Sequence, residues 1–359
     1  MHTSTETPTV SSFLQRYPWL PAETGGRKAL DFLWRFRVKA PLEDLWPFLI
    51  DTSTFNRLLG LPEMQYEEKN GRLFGRSVNA GIVSEWEEVP WEWEYHKGLN
   101  NARIYSRGFA TYVRSRYILA ADGRETILQV YFGWVPRTWW GGLLLKIGMP
   151  RLRNDYERAL GKIATIISER RDFAERQRSI QVLAAPVAAN ESAVTRMAAL
   201  RQKAVTEGAP ETALKKLCDY VLEAPEDELA RIRIKVAARH LNENAGDLTA
   251  AALYATRVGI LSLSWDVTCP HCRGVRESVT SLGDIPREGR CEACDITFSS
   301  EEIGNLEIVF HVNPEIRSVA KKFFCAAEPA TKRHIRVQRR VAAGSELSLQ
   351  TDLEPGEYR

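Results

Sequence analysis

In the run Trp91-Glu92-Trp93-Glu94-Tyr95-His96, aromatic side chains take every second place and carboxylates fill the places between. Successive side chains of a β-strand point to opposite faces, so this spacing describes a strand with one dry face and one wet face. The same period of two recurs downstream. Over 109–119 it turns Phe109, Thr111, Val113, Ser115 and Tyr117 inward and Arg114 and Arg116 outward, and over 126–134 it turns Leu128, Val130, Phe132 and Trp134 inward. Turn signals at Asn70-Gly71 and Asp122-Gly123 separate such segments, which predicts an antiparallel meander over 64–135.

Upstream, Phe32, Trp34, Phe36 and Val38 alternate with Leu33, Arg35 and Arg37 in a first strand, and Pro41 opens a helical stretch. Residues 1–27 are polar apart from Phe13, Leu14, Tyr17, Trp19 and Leu20, an apolar cluster that predicts an N-terminal arm with a short docking helix. Downstream, Pro150 reads as the start of a long helix in which Leu152, Tyr156, Leu160, Ile163 and Ile167 step by three and four, a stripe suited to packing on the sheet. The apolar segment 138–149 before it reads as a cover over whatever the sheet and helix enclose.

The order of strand, two helices, antiparallel meander and long terminal helix over 28–178 resembles the helix-grip fold of START-like and polyketide-cyclase-like lipid-binding proteins. The resemblance implies a tunnel for an apolar or aromatic small molecule or lipid. Its expected lining is Trp86, Trp91, Trp93, Tyr95, Tyr105, Phe109, Val113, Tyr117, Phe132, Trp134 and Tyr156, since flat rings bury much area and some carry polar tips. A solid core made of the same residues is the competing outcome.

The second half is organised differently. Residues 179–200 are Ala-rich, a linker running into helix, and 201–264 read as a helical, helix-turn-helix-like segment with one helix over 227–240 and another over 248–258. Only Tyr254 and Arg257 on the last helix could reach a nucleic acid, so packing explains the pair better. Cys269, Cys272, Cys291 and Cys294 have the spacing of a four-thiolate zinc site: each two-residue gap makes a knuckle that aims two sulfurs at one ion. Four protein ligands leave no open position, so the expected Zn2+ is structural, in a ribbon spanning 265–303. A redox CxxC expects a thioredoxin-like context that is absent here, and His271 could in principle replace a sulfur. Cys218 and Cys325 have no spacing partner and read as buried small hydrophobes. Strand-like runs over 306–312, 334–341 and 346–353 predict a small, truncated β-sandwich over 304–359, whose basic run Lys332, Arg333, His334, Arg336, Arg339 and Arg340 reads as a solvated edge. The whole is an α+β multidomain chain.

Composition excludes little. The 359 residues are 44% hydrophobic and 26% charged, and 49 basic against 46 acidic side chains leave +3, too little to predict nucleic acid as a partner. No secretory signal precedes the first strand and no apolar run is long enough to span a bilayer, which predicts a cytoplasmic protein with reduced thiols. Walker, nucleophile-elbow, HExxH and dinucleotide fingerprints are missing, so whether the chain is an enzyme stays open.

A second resemblance covers residues from about 190 to the end. Ala255-Thr-Arg-Val-Gly-Ile-Leu-Ser-Leu-Ser-Trp-Asp266, the Cys269-Pro-His-Cys272 knuckle, Phe310-His-Val-Asn-Pro314-Glu-Ile and Leu353-Glu-Pro-Gly-Glu-Tyr-Arg359 resemble the region ahead of the catalytic domain in a group of bacterial class III adenylate/guanylate cyclases. The metal-binding aspartate segment of those catalytic domains has no counterpart here. The resemblance implies a sensory or regulatory region, with an output cyclase domain following Arg359 and a possible homodimer. The alternatives are a stand-alone polyketide cyclase/aromatase-like enzyme or lipid-binding protein, and a zinc-ribbon scaffold for protein or nucleic acid.

Overall fold

The computed structural model describes residues 9–70, 72–79, 81–184, 191–271, 273–291, 294, 296–302, 304–319, 323–326, 328–332 and 335–351. The chain forms two units, residues 1–171 with 323–359, and 172–322. The second unit is thus inserted into the chain of the first.

The first unit opens with α1 (Val10–Arg16) and α2 (Pro21–Thr24), then β1 (Leu30–Val38), α3 (Leu42–Ile50) and α4 (Thr52–Leu58). A meander follows, made of β2 (Met64–Lys69), β3 (Arg72–Asn79), β4 (Ile82–Glu94), β5 (Gly98–Arg107), β6 (Ala110–Asp122) and β7 (Glu125–Pro136), and then the 31-residue α5 (Trp139–Glu169). The sheet order is β1-β7-β6-β5-β4-β3-β2, every pair antiparallel, so the first strand closes against the last. This large antiparallel sheet is the meander that the period-two segments predict, and with its helices it resembles the helix-grip arrangement. Helix α5 buries Tyr156, Leu160, Ile163 and Ile167, the expected stripe, and Tyr156 meets the rings of Trp34, Phe36, Phe55 and Phe132.

The opposite face of the sheet is covered by the arm. Phe13 stacks on Tyr131 at 4.3 Å between centroids, Trp19 donates its indole N–H to Asp31, and Arg114 lies over Trp19 while donating to the carbonyls of Tyr17 and Pro18. Helix α5 begins eleven residues before Pro150, the expected start. Thr138 caps it, its hydroxyl accepting from the Gly141 amide at 3.2 Å, and a single internal proline removes one hydrogen bond without ending a helix already held by packing.

The second unit has a helical part: α6 (Phe173–Ala184), α7 (Glu191–Thr206), α8 (Glu211–Glu223), α9 (Glu226–Leu229), α10 (Ile234–His240) and α11 (Ala245–Arg257). The helix expected over 227–240 is broken in two, because Ile232 leaves helical geometry to bridge Phe310. Helix α11 starts earlier than expected, capped by Asn244, whose side chain accepts from Gly246 and Asp247. Its core contains Leu214, Leu217, Cys218, Leu248, Ala252 and Phe310. The remainder is β8 (Leu261–Thr268), β9 (Val275–Val279), β10 (Glu288–Cys291), β11 (Ile296–Ser299) and β12 (Leu306–Val312), in sheets β12-β8-β9 and β10-β11.

The sandwich expected over 304–359 is not formed among the described residues. Strand β12 pairs with β8, which supplies the apolar face it needs, whereas the segment from Phe323 onward belongs to the first unit. There it forms α12 (Glu328–Thr331) and β13 (Val337–Gln338), which pairs with Trp93 and Glu94 where β3 no longer accompanies β4. Residues 352–359, and His334 and Arg333 of the basic run, lie outside the described residues. No helix among the described residues is long and apolar enough to cross a membrane.

Candidate functional site

Strand β4 sets the site through a change of phase. Ser84, Trp86 and Glu88 are buried on even numbers, and Trp91 and Trp93 on odd numbers, with exposed Pro90 between them. The register against β5 shifts between Val89 and Glu92, a bulge that keeps the same face inward across the odd insertion, at a place where proline costs no ladder bond.

That face carries a buried polar knot. The Glu88 carboxylate, in a residue only 4% exposed, accepts from the indoles of Trp86 (2.8 Å) and Trp91 (2.9 Å), the amide of Asn101 (3.0 Å) and the guanidinium of Arg103 (3.0 Å). Arg103 also donates to the Tyr66 hydroxyl (3.3 Å) and the Cys325 thiol (3.6 Å), and lies over the Trp86 ring. Burial works against the Arg103 charge, but the Glu88 carboxylate overrides it and holds the guanidinium well above its usual range. Burial likewise pushes the phenols of Tyr66, Tyr105, Tyr117 and Tyr156 upward, so all four are neutral near pH 7.

Beside this knot, between the sheet and α5, lies a cavity of about 150 Å3. Its walls are Trp91, Leu99, Val113, Phe132, Trp134, Leu152 and Tyr156, and its polar groups are Thr52, Asn56, Asn101, Arg103, Ser115, Tyr117 and Cys325. Most of those polar groups are spent on one another: Asn56 donates to the Phe324 carbonyl, Ser115 to Asn101, and the hydroxyls of Tyr117 and Tyr156 share a hydrogen bond. Two are not. The hydroxyl of Thr52, 4% exposed, and the indole N–H of Trp134 are buried with no partner among the described residues.

Of the eleven residues expected to line a tunnel, the structure brings Trp91, Val113, Tyr117, Phe132, Trp134 and Tyr156 to this cavity. The other five are placed elsewhere. Trp86 and Tyr105 pack on each other beside Arg103, Trp93 donates to the Ile335 carbonyl, Tyr95 stacks on His96 beneath Arg336, and Phe109 stacks on Trp134. Thr52 and Cys325 had no sequence signal. Thr52 sits at a helix start, and Cys325 arrives from a segment more than 200 residues along the chain.

In the second unit, the sulfurs of Cys269, Cys291 and Cys294 all lie within 4.8 Å of one another; Cys272 lies outside the described residues. Arg273, at φ 57°, turns the first knuckle so that its amide reaches the Cys269 carbonyl at 2.9 Å, and the Cys294 amide folds back to the Cys291 carbonyl at 3.3 Å. A tetrahedral zinc with Zn–S bonds of about 2.3 Å holds its sulfurs about 3.8 Å apart, so the three thiols fit such an ion. A metal there would tie Cys269 to the Cys291–Cys294 knuckle. His271 Nδ1 is 3.4 Å from the Cys294 sulfur. Cys218 and Cys325 are buried, and burial pushes the Cys218 thiol up to about 12.

A family model described as a family of unknown function (DUF5939) matches residues 191–354. No curated protein matches the sequence. Among solved structures, the Zhui aromatase/cyclase from Streptomyces sp. R1128 is 14% identical, with a TM-score of 0.31, over 43% of this chain and 96% of its own. The di-domain ARO/CYC StfQ from the steffimycin biosynthetic pathway is 10% identical, with a TM-score of 0.31, over 42% of this chain and 55% of its own. Norcoclaurine synthase from Thalictrum flavum, in complex with dopamine and hydroxybenzaldehyde, is 9% identical, with a TM-score of 0.28, over 42% of this chain and 93% of its own.

Proposed function

We propose that the first unit is a receptor for one small, largely apolar molecule of single-ring size, and that the chain is the sensory region of a class III adenylate/guanylate cyclase. The cavity carries the first part. Its walls are aromatic and aliphatic, and the unpartnered, buried Thr52 hydroxyl and Trp134 N–H offer a ligand one donor-acceptor and one donor. Size narrows the ligand. An apolar cavity of about 150 Å3 accommodates one benzene-sized molecule, whereas drug-sized ligands occupy about 300 Å3 or more. Fused-ring polyketides exceed that space.

Binding fits the lining better than turnover. Among the described residues around the cavity there is no carboxylate or imidazole, and the phenols of Tyr117 and Tyr156 are held neutral, so a general base is lacking.

The regulatory part rests on the sequence resemblance of residues from about 190 onward and on chain connectivity. Cys325, which lines the cavity, lies three residues past the last residue of the inserted unit, so a ligand touches the segment that joins the two. In this reading Cys269, Cys272, Cys291 and Cys294 hold a structural Zn2+ that stiffens the path toward the output domain. Titration of the full chain with phenol, which offers one ring and one hydroxyl, tests the receptor claim: saturable one-to-one binding supports it, and its absence removes it.

A further inference from the structure

The first three turns of α5 are apolar on both sides. Gly141, Leu145 and Met149 are buried against the unit, while Trp139, Trp140, Leu143, Leu144 and Ile147 face solvent, Trp139 being 83% exposed. The outward positions 140, 143, 144 and 147 follow the i, i+3, i+4, i+7 rule, so they form a second apolar stripe along the same helix. The sequence-based expectation that this segment covers the cavity is not met. An outward stripe of two indoles and three aliphatic chains is an unusual expense of solvation, and such patches mark interaction surfaces.

Charge says what covers it. Arg27, Lys28, Arg137 and Lys146 border a shallow groove at this helix start together with Leu30, Trp139 and Leu143, and no acidic side chain borders it. Between Glu125 and Asp155 the chain holds Arg137, Lys146, Arg151 and Arg153 and no carboxylate at all. Lys28 and Lys146 are exposed and have no ion-pair partner among the described residues. A second copy of the chain docked on the same patch about a two-fold axis would set these cations against one another with no acid in the patch to offset them. A bilayer bearing anionic headgroups meets every feature: the aliphatic chains enter the acyl boundary, the indoles sit at headgroup depth, and the ring of cations pairs with phosphates. We propose that this face docks on an anionic phospholipid surface, with the first turns of α5 lying in its interface.

Vesicle flotation of the full chain tests this. Binding to phosphatidylglycerol-rich vesicles should exceed binding to pure phosphatidylcholine by at least about tenfold at low salt and fall as salt rises. Leu143→Ser with Ile147→Ser should abolish it, and Lys28→Gln should weaken it about fivefold on the anionic vesicles alone. Because these side chains are exposed, the urea midpoint should not move, and Trp139→Ser provides a further variant. Equal partitioning onto both vesicle types, or none onto either, overturns the proposal. So does a concentration-dependent dimer that the Leu143/Ile147 substitutions dissolve, which would assign the patch to a second copy.

Discussion

Replacing Glu88 with Ala tests whether the polar knot is what fixes the inner face of the sheet. The carboxylate is the acceptor for four donors, one of them the guanidinium of Arg103, whose side chain is only 14% exposed. Removing one partner of a buried ion pair costs about 3–5 kcal/mol because the other charge is stranded. The indoles of Trp86 and Trp91 and the amide of Asn101 also lose their acceptor, at about 1–3 kcal/mol each where no water reaches them. Water admitted by the smaller side chain recovers part of this, so at least about 4 kcal/mol is expected, a large share of a typical domain's stability. Nine of the ten tryptophans lie in the first unit and only Trp265 in the second, so urea unfolding followed by tryptophan fluorescence reads the unit that carries the change. Combining Glu88→Ala with Arg103→Met should cost less than the sum of the two, since no stranded charge remains. A loss below about 1 kcal/mol for Glu88→Ala, or strict additivity with Arg103→Met, would refute the reasoning.

Two further outcomes follow from local geometry. In Gly75→Ala the new Cβ would lie 2.3 Å from the Trp86 ring, so the variant should lose about 1–3 kcal/mol and shift the tryptophan emission; an unchanged urea midpoint would mean the ring is free to move aside. Cys291→Ser should lower the zinc content measured by atomic absorption and loosen residues near 265–300 in hydrogen exchange, while the tryptophan-reported transition stays put; a shift of that transition would show that the two units do not unfold independently.

The sequence carried the antiparallel sheet in its alternation. Val113, Ser115, Tyr117, Phe132 and Trp134 reach the cavity because β6 from Tyr112 onward and β7 up to Val135 keep an unbroken period of two, and nothing but the strand geometry is needed to aim them. Strand β4 was harder to read. Its inward residues change from even to odd at Pro90, and Glu88 counts as an exposed charge until its four donors are seen to converge from two strands, β4 and β5. The meeting of Cys269 with Cys291 and Cys294 was legible because paired cysteines two residues apart are the spacing of a shared metal. The fate of 323–351 was not: a two-residue pairing with β4 and a thiol in the cavity depend on where the chain returns after the inserted unit, which no local pattern encodes. The same holds for Thr138, whose cap starts α5 before Pro150 and turns an expected cover into an exposed helical face.

The receptor claim is tested most directly by measuring phenol affinity in the native chain and in Val113→Phe, whose added ring would occupy the cavity from a wall that is already buried. Saturable one-to-one binding of phenol is expected, weakened at least about tenfold by the substitution, with a two-ring probe such as naphthol excluded from both proteins. Phenol binding that survives Val113→Phe unchanged, or that never saturates in the native chain, would contradict it.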